Sequence, residues 1–187
     1  MISAVDALGE TGLVDELPDH HEAHPTEWRQ SAQLQINAGD REAVEPFERT
    51  GAENPYEIQK DLQELMQDNV GIVRNEAEMR AALEQLTTLW DRARRAGVTG
   101  HREFNPGWHT ALDLKNLLTV SEAITRAALE RKESRGAQFR EDYPQQEEQL
   151  SKINTMISKG EEGHMNVRWD PLPEMPDYLK QVIEENK

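Results

Sequence analysis

Apolar residues recur at helical spacing in three segments of the middle of the chain. The first segment begins at Asn54-Pro55, where Asn is suited to an N-cap and Pro to the first helical position. Its apolar residues are Ile58, Leu62, Leu65, Met66 and Val73. The steps between them, of four, three, one and seven residues, predict an amphipathic helix with one buried face.

The second segment runs from about Glu76 to Arg95, and Gly97 is suited to stop a helix there. Its main apolar residues are Met79, Leu83, Leu86 and Trp90. They are separated by four, three and four residues, so the sequence predicts a second helix over this range.

The third segment begins at Asn105-Pro106, with the same pair of residues as the first. It is predicted to be helical to about Ser134, with Gly136 as the residue that ends it. Its apolar residues cover more than one face. Such a helix is expected to be central in the fold, with residues such as Leu117 buried.

Three helices joined by short loops predict an all-α fold, an antiparallel three-helix bundle. The expected domains are an acidic N-terminal arm or linker over residues 1–52, the bundle over 53–144 and a tail over 145–187. The tail is expected to be mostly irregular, apart from a short strand at 166–169 and a short terminal helix around 178–183.

The charge of the chain restricts its partners. The 187 residues include 36 acids and 21 bases, a net charge of −15, and residues 1–55 hold 12 of the acids but only three bases. Phosphate binding needs an excess of Lys and Arg, so no nucleic-acid partner is expected. No apolar run approaches the roughly 20 residues that span a bilayer, so no direct membrane insertion is expected. The start of the chain lacks the pattern of a signal peptide.

Few residues suggest chemistry of their own. There is no cysteine, which excludes disulfides and thiolate metal ligands within the chain. His20, His21 and His24 resemble a metal cluster, but Pro18 and Pro25 flank them, and a solvated polar stretch is the favoured interpretation. The chain has no glycine-rich or Walker-type phosphate loop. We therefore predict no catalytic, cofactor-binding or metal-binding residue in this chain.

Two groups of basic residues, around 92–102 and 126–140, lie where helices are predicted to end. Cations at a helix C-terminus are favoured by the helix dipole, and this is the preferred interpretation. A docking surface for an acidic partner is the alternative.

The segment 133–144, with sequence ESRGAQFREDYP, combines a glycine, two arginines, three acids and an aromatic residue before a proline. Arginine forks can brace several elements through paired hydrogen bonds. We predict a structural or docking motif formed by Glu133, Ser134, Arg135, Gly136, Arg140, Asp142 and Tyr143. Its arginines are expected to make structural rather than catalytic contacts.

The same segment resembles a motif of the succinate dehydrogenase/fumarate reductase flavoprotein family. The segments His101-Arg-Glu-Phe-Asn-Pro-Gly-Trp108 and Glu53-Asn-Pro-Tyr-Glu-Ile-Gln-Lys-Asp-Leu-Gln-Glu-Leu-Met66 resemble that family too, in the family's order. The resemblance covers about residues 44–187 and only the C-terminal helical region of the family. Gln138 stands where the family usually has histidine, which leaves a bracing role open but removes a titrating one.

The resemblance implies a parent subunit that interconverts succinate and fumarate. FAD, held by a separate domain of the parent, would exchange a hydride with the substrate, and an iron–sulfur subunit would receive the electrons. The implied partners of this chain are the FAD-binding domain, the capping domain and the iron–sulfur subunit. It would be cytoplasmic, or peripheral at the inner face of the membrane through partner subunits.

Two alternatives remain open at this point. One is the same domain from a flavoprotein of the L-aspartate oxidase or adenylylsulfate reductase type. The other is a free-standing helical adaptor or assembly protein, which would use the acidic arm and the basic helix ends as binding surfaces.

Overall fold

The computed structural model describes residues 39–50 and 52–186, with only the backbone of Glu162. Internal contacts divide the chain into two compact units, Met1–Ala43 and Val44–Lys187. The second unit contains all the elements described below. The three histidines before Pro25 lie outside the described residues.

Three long helices form the body of the second unit: α1 (Pro55–Asn69), α2 (Glu76–Ala93) and α3 (Pro106–Glu130). An asparagine precedes each of them, and its side chain accepts a hydrogen bond from a backbone N–H of the first turn. These caps satisfy amide groups that have no partner inside the helix. Both helix starts predicted from Asn-Pro pairs are confirmed, and α2 ends two residues before the predicted Arg95.

The core lies where the three helices meet, and each of them contacts the other two. Its members are fully or almost fully buried apolar residues. They are Ile58, Leu62, Leu65, Val70, Ala82, Leu86, Leu89, Ala96, Leu114 and Leu118. Most of them recur at steps of three and four residues along α1, α2 and α3, as the sequence predicts.

Two expectations for the third helix are wrong. First, α3 ends at Glu130 rather than near Ser134, because the chain becomes extended at Arg131. Gly136 lies further on, in a separate turn. Second, Leu117 is 37% exposed and outside the core. Leu117, Val120 and Ile124 form a half-exposed stripe beside the buried face of α3, so the apolar residues on its second face do not indicate complete burial.

Short strands join the helices to the rest of the unit. β1 (Val73–Arg74) precedes α2 and pairs in parallel with β2 (Phe139–Arg140), which follows α3. Because β1 and β2 are 66 residues apart along the chain, this pairing ties the start of α2 to the segment after α3.

The C-terminal tail is more regular than the sequence predicts. β3 (Ile153–Lys159) and β4 (Met165–Pro171) pair as an antiparallel hairpin, and both contact α3. The predicted strand at 166–169 is part of β4. The terminal helix, α4 (Asp177–Glu185), has no buried residue. The fold is therefore mostly helical with a few short strands, and the antiparallel order of the three long helices stays a prediction.

Gly97 lies at a close approach of two segments. A Cβ atom there would collide with the Cβ of Ala52 and reach 3.0 Å from the carbonyl oxygen of Pro46. The amide of Gly97 donates to the carbonyl of Glu53, and Arg49 Nη1 donates to the carbonyl of Ala96. Residues 46–50 and 52–53 are thereby fixed to the end of α2. Among the described helices, none is long and apolar enough to cross a membrane.

Candidate functional site: an arginine–carboxylate network after helix α3

The residues of the predicted motif come together where α3 ends and β2 begins. Glu133 and Arg140 are fully buried, and Ser134 is almost so. Buried charges are costly unless they are paired and hydrogen-bonded. The arrangement of the partners around these two charged groups therefore decides what the site can do.

Glu133 accepts hydrogen bonds from two arginines and one amide. Arg135 donates through Nε to Oε1 and through Nη2 to Oε2, both at 2.9 Å. Arg131 donates through Nε to Oε1 at 2.8 Å, and the backbone N–H of Glu147 donates to Oε2 at 2.9 Å. These bonds, that of Arg135 foremost, lower the pKa of Glu133 to about 2.

Arg140 caps the C-terminus of α3. Its Nη1 donates to the carbonyl oxygens of Ala128, Leu129 and Arg131 at 2.8, 3.2 and 3.3 Å. The last carbonyls of a helix have no partner within it and carry the negative end of the helix dipole. A buried guanidinium at this position hydrogen-bonds to carbonyls at this end of the helix and stabilises the end of α3.

Asp142 joins Arg140 to the start of α2. Arg140 Nε and Nη2 donate to the two carboxylate oxygens of Asp142 at 2.8 and 2.7 Å. The amide of Glu76, the first residue of α2, donates to Oδ2 at 3.0 Å. These bonds, chiefly the arginine fork, lower the pKa of Asp142 to about 2. A negative charge is also favoured at a helix N-terminus.

The remaining motif residues shape the backbone around the two charged groups. Ser134 Oγ accepts from the amide of Arg140 at 2.8 Å and donates to the carbonyl of Tyr143 at 2.9 Å. The ring of Tyr143 lies 5.0 Å from the Arg140 guanidinium, within the range of a cation–π contact. Gly136 has a φ of 61° in the turn between Arg135 and Gln138, a conformation that favours glycine.

The predicted motif omits three residues of the network. Arg131 also donates to the carbonyl of Leu150 at 2.5 Å, which ties the network to the segment before β3. Gln138 Nε2 donates to the carbonyl of Arg131 at 3.0 Å, and its Oε1 accepts from Arg74 Nη1 at 3.1 Å. Gln138 is thus placed to brace the turn. Arg74 is 64 residues away in sequence, so no local pattern identifies it.

The network has little capacity for proton transfer near neutral pH. Both oxygens of Glu133 and both oxygens of Asp142 are engaged by hydrogen-bond donors, and both carboxyls have a pKa of about 2. A general acid or base works best with a pKa near the working pH. The hydrogen bonds of the network instead join the end of α3, the start of α2, strand β2 and the segment before β3.

No cluster of three or more metal-ligating side chains occurs among the residues that the structure describes. The predicted absence of a metal site at the three N-terminal histidines falls outside that part of the chain and stays a prediction.

A family match accompanies this geometry. Residues 59–181, about two thirds of the chain, match the family described as the fumarate reductase flavoprotein C-terminal region. The chain belongs to this family. The match includes α2, α3, the whole arginine–carboxylate network and the β3–β4 hairpin, and it confirms the family assignment made from the three sequence segments.

Curated relatives are longer flavoprotein subunits. The succinate dehydrogenase flavoprotein subunit of Coxiella burnetii is 38% identical over an alignment of 130 residues that covers 65% of this chain and 22% of the relative. The fumarate reductase flavoprotein subunit of Mycobacterium tuberculosis is 31% identical over 123 residues, 65% of this chain and 21% of the relative. The chain thus spans about a fifth of the length of these relatives.

Solved structures agree with this assignment. The Sdh1 complex of Mycobacterium smegmatis in its apo form contains a chain that is 34% identical, with a TM-score of 0.72 over 90% of this chain and 29% of that one. Adenylylsulfate reductase from Archaeoglobus fulgidus has a TM-score of 0.66 over 76% of this chain and 25% of that one. Its identity of 21% shows a shared fold alone.

Proposed function

We propose that this chain is the C-terminal domain of a flavoprotein subunit that interconverts succinate and fumarate, and that it acts there as a structural and docking domain. The observation that supports a structural role is the saturated network around Glu133 and Arg140. Its carboxylates are held ionised and fully hydrogen-bonded, so they stabilise the junction of several elements.

The described strand-to-α-helix junctions lack the features that bind the pyrophosphate of a dinucleotide. Pyrophosphate groups bind where a glycine-rich turn leads from a strand into a helix N-terminus. Two strand-to-α-helix junctions are described, and neither contains a glycine: residues 172–176 between β4 and α4, and Asn75 between β1 and α2. The N-terminus of α2 is occupied by the Asp142 carboxylate, which accepts a hydrogen bond from the amide of Glu76. The FAD of the parent subunit is therefore proposed to bind to other domains.

Docking to those domains is supported by the half-exposed stripe of Leu117, Val120 and Ile124 on α3. Contiguous exposed apolar surface is uncommon unless it is an interaction site. The proposed partners are the FAD-binding and capping domains of the parent and, through them, an iron–sulfur subunit. The proposed location is cytoplasmic or peripheral at the inner face of a membrane, through those partners.

The substitution Arg135→Gln in the complete subunit tests this role. Arg135 supplies the bidentate fork to buried Glu133, so its loss leaves that carboxylate less compensated. We expect less bound FAD per polypeptide and less assembly with the iron–sulfur subunit. The activity per bound FAD should stay within about twofold of that of the unmodified subunit. Total activity that falls in proportion to FAD content means that the chemical step is intact.

Arg168→Gln is the matched control. Arg168 forms a similar fork with Asp170, but on the exposed face of the β3–β4 hairpin, where an ion pair contributes little. This variant should keep its FAD and its assembly. Normal FAD content and assembly in Arg135→Gln, together with a large loss of turnover, would contradict the structural role.

A further inference from the structure

The C-terminal end of the chain carries large apolar side chains that nothing in the described structure covers. Every residue from Pro171 to Asn186 is exposed. We use the name C-terminal arm for residues 172–185. Its exposed large apolar residues are Leu172, Met175, Tyr178, Leu179, Val182 and Ile183.

Within this arm, the apolar residues of α4 lie on one face. Tyr178, Leu179, Val182 and Ile183 follow at steps of one, three and one, and they are 40–68% exposed. Lys180, Gln181 and Glu184 occupy the opposite side, and Glu185 lies at the edge of the apolar face. This pattern is that of a helix that buries one face against a partner.

Helix α4 is too short to persist without such a partner. It has nine residues, no buried residue and no side-chain hydrogen bond at its N-cap. Helices shorter than about 12–15 residues are marginal in water unless tertiary packing supports them. Its local bonds, such as that of Lys180 to Asp177, are exposed and weak.

The charge of the arm restricts the partner. Residues 172–185 contain four acids and one lysine. Helices that lie on membranes are rich in Lys and Arg, and anionic lipid repels acidic segments. Contact between the arms of two copies would place acidic segments against each other, and docking on another face of a second copy would bring the arm to a chain with a net charge of −15. A protein groove with an apolar floor and a basic rim complements the arm.

We propose that the C-terminal arm docks into such a groove on the part of the same flavoprotein subunit that this chain does not span. This rests on the function proposed above. Four apolar side chains form a small contact that would be weak between separate proteins. Within one polypeptide the effective concentration is high, so a weak contact is sufficient. Pro171, Pro173 and Pro176 stiffen the linker before α4, which lowers the entropy lost on docking.

Amide hydrogen exchange tests the proposal in this chain and in the complete subunit. In the chain by itself, the amides of residues 178–186 should exchange rapidly. In the complete subunit, docking should slow their exchange by about tenfold or more. Residues 114–128, in the core of α3, should be protected in both and serve as the internal reference.

Leu179→Asp should abolish this protection in the complete subunit, because it places a charge on the apolar face of α4. Gln181→Asp adds the same residue type on the opposite face and should keep the protection. Neither substitution should change the melting temperature of the chain by itself, since both positions are exposed.

Two results would overturn the proposal. One is equally rapid exchange of residues 178–186 in a complete subunit that holds flavin and oxidises succinate, which leaves the proposed function intact. The other is protection that appears only after the iron–sulfur subunit is added, which assigns the arm to that subunit. The proposed function itself would fail in a different way: the purified complete subunit would contain no flavin.

Discussion

The buried carboxylate of Glu133 is expected to contribute strongly to the stability of the fold. It is fully buried and accepts from two arginines and one backbone amide. Removing one member of a buried ion pair usually costs about 3–5 kcal/mol, because the other charges remain uncompensated. Arg131 and Arg135 retain some exposure to water, which favours the lower end of this range.

We therefore expect Glu133→Gln to lower the free energy of unfolding by about 3 kcal/mol at pH 7. The effect should depend on pH. The pKa of Glu133 is about 2 in the folded chain and 4.5 when unperturbed. A lowered pKa stabilises the fold above pH 4.5, and this stabilisation is lost as the pH falls towards 2. Denaturant unfolding between about pH 2 and 7 should show a smaller pH dependence for the variant.

Glu148→Gln is the control for this measurement. Glu148 pairs with Lys152, but both side chains are largely exposed, so its substitution should change stability by less than about 1 kcal/mol. Equal losses in the two variants would contradict a special role for Glu133.

Phe104 is a second residue with an unusual environment. It is fully exposed and has a φ of 54°, in the left-handed region that non-glycine residues rarely adopt. The loop around it is fixed, since Asn105 Nδ2 donates to the carbonyls of Thr99 and His101, both at 3.0 Å. The backbone therefore carries strain that the exposed ring does not offset by packing.

Phe104→Gly should stabilise the chain by about 1 kcal/mol, because glycine adopts this conformation without strain. Phe104→Ala keeps the strain and should change stability by no more than about 0.5 kcal/mol, as at other exposed positions. Thermal unfolding of both variants checks this expectation. A glycine variant no more stable than the alanine variant would contradict the account of strain.

At the scale of elements, α3 buries one face and leaves a second apolar face half-exposed. Leu114, Leu118, Ser121, Thr125 and Ala128 recur at steps of four and three and are buried. Leu118→Ala should therefore cost about 2–5 kcal/mol, the usual range for a buried leucine. Leu117→Ala, one residue away, should cost clearly less. Chemical denaturation of the two variants measures both losses in the free energy of unfolding. Similar losses would contradict the assignment of Leu118 to the buried face of α3 and of Leu117 to the half-exposed face.

The parts of the fold that depend on local signals are those that the sequence predicts. The starts of α1 and α3 follow from Asn-Pro pairs that cap a helix within three residues. The end of α3 is capped by Arg140, which lies 12 and 11 residues after the helical carbonyls it binds. The helix propensities of residues 131–134 carry no information about this contact with Arg140, so the helix predicted from them is too long.

Strand β3 of the hairpin has an alternating pattern that can be read in the sequence. Ile153, Thr155 and Ile157 alternate with more exposed residues, which is the period of a half-buried strand. In the network, the motif residues 133–143 are contiguous and so could be identified together, whereas Arg74 reaches Gln138 only through the pairing of β1 with β2.

At the scale of the whole molecule, the proposed division of labour predicts that this chain by itself does not hold FAD. The chain has a net charge of −15, which repels a pyrophosphate. In the described part, the junction of β1 and α2 directs its helix N-terminus at Asp142. The purified chain should therefore be colourless, without flavin absorbance, and should not reduce dyes with succinate.

Adding FAD should leave the melting temperature of the isolated chain unchanged, because a ligand raises it only by binding the native state. The complete flavoprotein subunit is the positive control and should be yellow and stabilised by FAD. Asp142→Asn tests whether the carboxylate is what blocks the helix N-terminus, since the amide removes the charge and keeps the shape. If FAD raises the melting temperature of the unmodified chain, this domain holds a flavin site. If FAD raises only that of the variant, the α2 terminus is an anion site that Asp142 closes.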